Sequence, residues 1–144
     1  MKIKNLILAG IAATAFLVSC KKDDDNGGGS SSIQGKWNIN RVYYEEKSGG
    51  VLDSASFAAA PGDYIDFRND GKAYVRFSDP FSGEPEFDTT GYALLGTNKF
   101  IVIDDSGNDT LDIFELTASS LVFGGYDEFD DNNNYSLSKI YCSK

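Results

Sequence analysis

The 144-residue chain contains no histidine. That absence removes Ser-His-Asp and Cys-His catalytic arrangements and every histidine-ligated metal site. It has two cysteines, Cys20 and Cys142, so no disulfide framework holds it together. Cation is scarce as well. Thirteen Lys and Arg stand against 22 Asp and Glu, a formal charge of −9. Binding nucleic acid needs clustered cations against phosphate, so that class of partner is excluded. No apolar run is long enough for a membrane helix, which needs roughly 20 residues. The longest, Leu6 to Val18, stops short of that. No Gly-rich phosphate loop, nucleophile motif or isolated carboxylate pair appears, so neither a cofactor nor an enzymatic activity is expected. What is present is apolar material, 41% of residues with 13% aromatic, and that is enough for a packed core.

The first nineteen residues read as an address. Lys2 and Lys4 form a basic head before the Leu6–Val18 run. This is the layout of a secretory signal peptide. The run ends in Leu17-Val18-Ser19-Cys20, which resembles the lipobox of bacterial lipoproteins. That resemblance implies a diacylglyceryl group on Cys20 and cleavage before it. Several acyl chains give stable membrane anchoring, where one would be marginal. The following Lys21-Lys22-Asp23-Asp24-Asp25 resembles the export signal of Bacteroidetes-type lipoproteins, which implies an outer-membrane location with the domain displayed on the cell surface. Residues 26–32 are a Gly/Ser tether. The stretch from the anchor to the domain has a root-mean-square reach of about 20 Å. The expected organisation is a signal peptide at 1–19, lipidated cysteine and linker at 20–32, and a folded domain at 33–144. Loss of Lys2 and Lys4 with the signal peptide leaves the mature chain still more acidic.

From Ile33 onward the dominant period is two. Ala73, Val75 and Phe77 alternate with Lys72, Tyr74 and Arg76, as in strands with one buried face. Turn signals such as Asn69-Asp70-Gly71 and Gly96-Thr97-Asn98 separate the runs. The pattern predicts eight strands, near 35–45, 63–69, 72–78, 87–95, 99–104, 109–116, 120–126 and 134–141. Residues 54–60 are expected to form one or two helical turns stopped by Pro61-Gly62. Short links make consecutive strands antiparallel neighbours. Closing eight of them into a barrel removes the two free edges and leaves an interior just wide enough for side chains or one small ligand.

Gly35-Lys36-Trp37 opens the first strand, and a Gly-x-Trp at that place resembles the lipocalin signature. The remainder, through Tyr64–Lys72, Tyr92–Phe100 and the closing Tyr135–Lys139, resembles the lipocalin-like domains of short bacterial lipoproteins. The resemblance implies an all-β, eight-stranded antiparallel up-and-down barrel that binds or carries a small hydrophobic molecule. It also implies that the link from Glu45 to Gly62 is a lid, with Phe57 over the open end. The tryptophan would be packed at the closed end under the last strand near Lys139, where lipocalins usually carry an arginine.

Trp37, Tyr43, Phe57, Phe67, Phe77 and Phe123 are the candidate ligand-binding residues, drawn from the apolar face of the strands and from the long link. The other reading is a filled barrel acting as a protein- or glycan-contacting module, for which the acidic charge favours a cationic partner. A monomer is expected. Residues 104–109 and 127–134 are rich in oxygen ligands, yet neither has calcium-loop spacing, so no metal site is assigned. Asp53-Ser54-Ala55, Asp88-Thr89-Thr90 and Asp109-Thr110-Leu111 resemble the O-glycosylation acceptor of Bacteroidetes-type bacteria, which makes Ser54, Thr89 and Thr110 candidate sites.

Overall fold

A computed structural model describes residues 32–79, 82–105, 107–130 and 133–144. The expected signal peptide at 1–19, the expected anchor Cys20 and most of the expected linker lie outside the described residues. Ten strand segments follow one another: β1 (Gly35–Ser48), β2 (Val51–Ala58), β3 (Tyr64–Phe67), β4 (Lys72–Ser78), β5 (Pro85–Leu94), β6 (Lys99–Asp104), β7 (Gly107–Leu116), β8 (Ser120–Gly124), β9 (Tyr126–Asp130) and β10 (Asn134–Ser143).

Every pairing is antiparallel, and most join chain neighbours; β3 pairs with β1 rather than β2, and β10 pairs with β8 as well as β9 and returns to β1. The β1–β10 ladder runs from Asn38↔Ser143 to Lys47↔Tyr135 and closes the sheet on itself. Two of the barrel's strands are each broken into two segments. β2 and β3 both pair with the same side of β1, and β8 and β9 with the same side of β10. The chain is therefore an eight-stranded closed antiparallel barrel.

The break between β2 and β3 has a local cause. Asp63 N–H donates to the Ala60 carbonyl at 3.1 Å, closing a turn with Pro61 and Gly62 at its centre. Gly62 has φ +92°, which a type II turn demands of its third residue, while proline suits the second. The break between β8 and β9 comes at Gly124-Gly125. A Cβ on Gly124 would lie 1.8 Å from the Ser138 carbonyl oxygen, so only glycine lets these backbones approach.

Three sequence expectations are corrected here. Residues 54–60 hold no helical turn. Most of them belong to β2, which pairs with β1 from Arg41↔Ala58 to Ser48↔Val51. The link from Glu45 to Gly62 is likewise no lid loop. It is a hairpin turned at Gly49 and Gly50, whose φ values of +59° and +81° suit a tight hairpin turn. Residues 126–130, expected as the end of one strand and the start of a polar loop, form β9.

The core sits toward one end of the barrel. Trp37, Phe67, Phe100, Ile33 and Leu121 are its largest fully buried side chains. Trp37 is 0% exposed, and its indole N–H donates to the Ile33 carbonyl at 2.6 Å. The cation beneath it is Lys144, whose Nζ lies 4.3 Å from the ring centroid. The expected Lys139 instead lies over Phe114, because its place on β10 opposite Tyr43 faces outward.

Candidate functional site

Above that packed end the barrel is hollow. Phe67 makes edge-on contacts with Tyr92, Phe100 and Phe123 at centroid distances of 5.0, 5.5 and 6.3 Å. Phe100 and Phe123 meet at 5.4 Å. Such edge-to-face clusters are the preferred aromatic geometry and fix ring positions. Three of these rings, Phe67, Phe100 and Phe123, are walls of a cavity of about 330 Å³. Aliphatic side chains from facing strands complete it, among them Val42, Ile65, Val75, Val102 and Ile140. Thr90 and Tyr44 bring the hydroxyl groups that face it, and no charged side chain lines it.

The cavity adjoins two further spaces. Val42, Tyr44 and Phe77 also line a wider space of about 740 Å³ between β2 and the end of β4. Tyr44 further borders a groove of about 370 Å³ over the small side chains Ala55, Ser136 and Ser138. Tyr44 thus stands where all three spaces meet. It is 52% exposed, and its ring meets Phe57 edge-on at 6.4 Å.

The structure divides the expected ligand-binding residues. Phe67, Phe77 and Phe123 face the cavity, and Phe57 lies at its mouth. Phe57 comes there on β2, opposite Val42, and not on a mobile lid. Trp37 lines none of the three spaces, because the aromatic cluster and the closed end enclose it. Tyr43 faces outward. A bulge between Ile39 and Arg41 shifts the register by one residue, which turns Val42 and Tyr44 inward. A one-residue slip exchanges the two faces of a strand. Simple alternation cannot reveal a bulge, so Val42 and Tyr44 were missed.

Outside the barrel, Tyr43 and Tyr135 both donate hydroxyl hydrogen bonds to Glu45, at 2.5 and 2.6 Å. These bonds, that from Tyr135 first, hold the Glu45 carboxyl below its ordinary range and raise both phenols. The group is a surface clamp between β1 and β10; none of its three residues lines the cavity, and Glu45 borders the groove of about 370 Å³ beside it. Cys142 is buried in the core, and that burial pushes its thiol up to about 12. Such a thiol is not a nucleophile at neutral pH. Ser54, Thr89 and Thr110 are exposed, on β2, β5 and β7. Among the described residues no group of acids and cysteine is placed to hold a metal ion.

A family model described as a lipocalin-like domain matches residues 33–123. Among solved structures, the chain is similar to aphrodisin, a sex pheromone from female hamster, at 16% identity and TM-score 0.45, covering 78% of this chain and 75% of that one. It is similar to a dog lipocalin allergen at 13% identity and TM-score 0.47, over 79% and 74% of the two chains. Bovine odorant binding protein in complex with undecanal matches at 14% identity and TM-score 0.44, over 86% and 76%. No curated protein matches the chain in sequence.

Proposed function

We propose, from the premise that this chain belongs to the lipocalin-like domain family, that it binds a small hydrophobic molecule inside its barrel. The observation that carries this reading is the apolar cavity of about 330 Å³, open to solvent past Tyr44. Its size falls in the range of small-molecule sites, and its wall is apolar with few polar groups, as such sites are. A filled barrel would have brought large side chains into this space. Here Ala73, Val75 and Thr90 face it from β4 and β5, and they leave it empty. The test is saturable binding of an environment-sensitive apolar dye to the full chain, repeated with Val75→Trp, which fills the cavity. The wild type should bind one dye per chain, and the variant should lose binding while keeping a cooperative melt. No saturable binding by the wild type would end this reading.

The second part of the proposal is the address. The lipobox at Leu17–Cys20 and the acidic tract after it support a lipid anchor on Cys20 and display at the outer-membrane surface. Labelling with a palmitate analogue should tag the wild type and not Cys20→Ser. Protease added to intact host cells should remove the domain, and replacement of residues 21–25 by alanine should protect it. A protected wild type would place the domain on the periplasmic face.

A further inference from the structure

Strand register fixes which residues share the inward face above the cavity. On β5, Asp88 is opposite Val75 and Glu86 is opposite Phe77, two cavity-facing positions. On β7, Asp109 is opposite the cavity residue Val102. Asp104 follows Val102 by two residues on β6 and so lies on the same face. Across the mouth, Glu46 is opposite Asp53, one step beyond the Tyr44↔Ala55 pair. Asp127 of β9 joins them through Ser136, the β10 partner of Glu46. Both sides of the opening therefore carry carboxylates on the face that continues the cavity wall.

The cations are placed the opposite way. Arg41, Lys47, Arg76 and Lys139 occupy outward positions of the strands around the mouth, by the same register. Lys36, Arg68, Lys72, Lys99 and Lys144 belong to the closed end. Among the described residues no lysine or arginine shares the inward face above the cavity. Polarity thus changes along the barrel axis, from aromatic rings at the floor, through the hydroxyls of Thr90 and Tyr44, to anionic charge at the rim.

We infer that the molecule bound in this cavity is a cationic amphiphile, with its apolar part among Phe67, Phe100 and Phe123 and its positive group at the carboxylate rim. The inference rests on the cavity-binding reading and adds the ligand's charge. A rim of one sign over low-dielectric walls raises the local concentration of the opposite charge. It also repels an anion of the same shape, so the site excludes fatty acids by like charge. The rim stays solvated, so the preference weakens as salt screens it.

The test titrates the full chain calorimetrically with decylamine, decanol and sodium decanoate. These share one chain and differ in charge. At low ionic strength decylamine should bind about tenfold tighter than decanol, decanoate should bind more weakly than either, and the gap should narrow about fivefold in 0.5 M salt. In a variant carrying Asp53→Asn, Glu86→Gln, Asp88→Asn and Asp109→Asn the ratio of amine to alcohol affinity should fall toward one. A control with the outward Glu115→Gln and Glu128→Gln should keep the wild-type ratio, which separates the rim from net charge. If decanol or decanoate binds as well as decylamine, or the fourfold variant keeps the ratio, the cationic-ligand inference is overturned while the apolar cavity stands. If none of the three binds, the cavity reading itself fails.

Discussion

Trp37 shows how one side chain sets the closed end of the barrel. Its ring is wholly buried, its N–H is satisfied by Ile33, and Lys144 covers its outer face. Trp37→Ala should cost about 3–5 kcal/mol, as deletion of a large buried aromatic does, read as a shift in urea midpoint. Wild-type emission should be blue-shifted and resistant to acrylamide. A freely quenched Trp37 would contradict the closed end described here. Cys142 gives a pH prediction. Its folded thiol titrates near 12, above its ordinary value of 9.0. Between those values the unfolded chain loses a proton that the folded one keeps. This contribution is therefore fully present below about pH 9 and is lost as pH rises toward 12. Wild type should lose stability more steeply than Cys142→Ala between pH 8 and pH 10.5 in urea titrations, and equal slopes would refute this. The raised phenols of Tyr43, Tyr74 and Tyr135 act in the same direction and are common to both chains.

At the scale of elements, the two broken strands decide where the mouth lies. Asp63 is 1% exposed and holds the β2–β3 break, where its carboxylate accepts from Ala60 N–H, Ser78 N–H, Ser78 Oγ and Arg76 Nη1. Asp63→Ala would leave these donors unpaired and should cost about 3 kcal/mol, with the loss appearing in thermal melts. Gly124→Ala cannot keep the β8–β10 approach and should lower the melting temperature by more than Gly50→Ala, which meets nothing within 4 Å in an exposed turn. Strands with one buried face were legible in the sequence. Ala73, Val75 and Phe77 alternate cleanly because one side of β4 packs inward. β2 was not legible, because all eight of its residues are exposed and its Ser/Ala content carries no apolar alternation. Pairing with β1 holds it, and burial does not. The inward turn of Tyr44 was hidden for a different reason. It depends on a bulge opposite β10, and such a shift belongs to the pairing and not to the strand's own residues. Phe67, Phe77 and Phe123 were readable because their strands keep the plain period up to the cavity.

At the scale of the whole molecule, the separation of packed end from hollow end makes Trp37 a reporter of folding and a silent witness to binding. A ligand at one hundred times its dissociation constant should stabilise the fold by about 2.7 kcal/mol. The melting temperature should rise while Trp37 emission stays fixed, because Trp37 lines none of the three spaces. A large emission change would mean that the closed end rearranges. The closing ladder has a kinetic meaning too. Each other neighbour in the sheet is reached within a short stretch of chain, so those hairpins can form in any order as local events. The pair Asn38↔Ser143 joins residues more than a hundred positions apart. Contacts of such long sequence separation are slow to form, since the entropy of drawing the ends together is lost before any contact compensates. The barrel cannot shut until β10 has emerged from whatever machine delivers the chain. Until then the strand destined to receive it, β1, lacks its partner on that side. The interval between arrival of β1 and arrival of β10 is the period in which this protein is most open to mispairing with a second copy of itself.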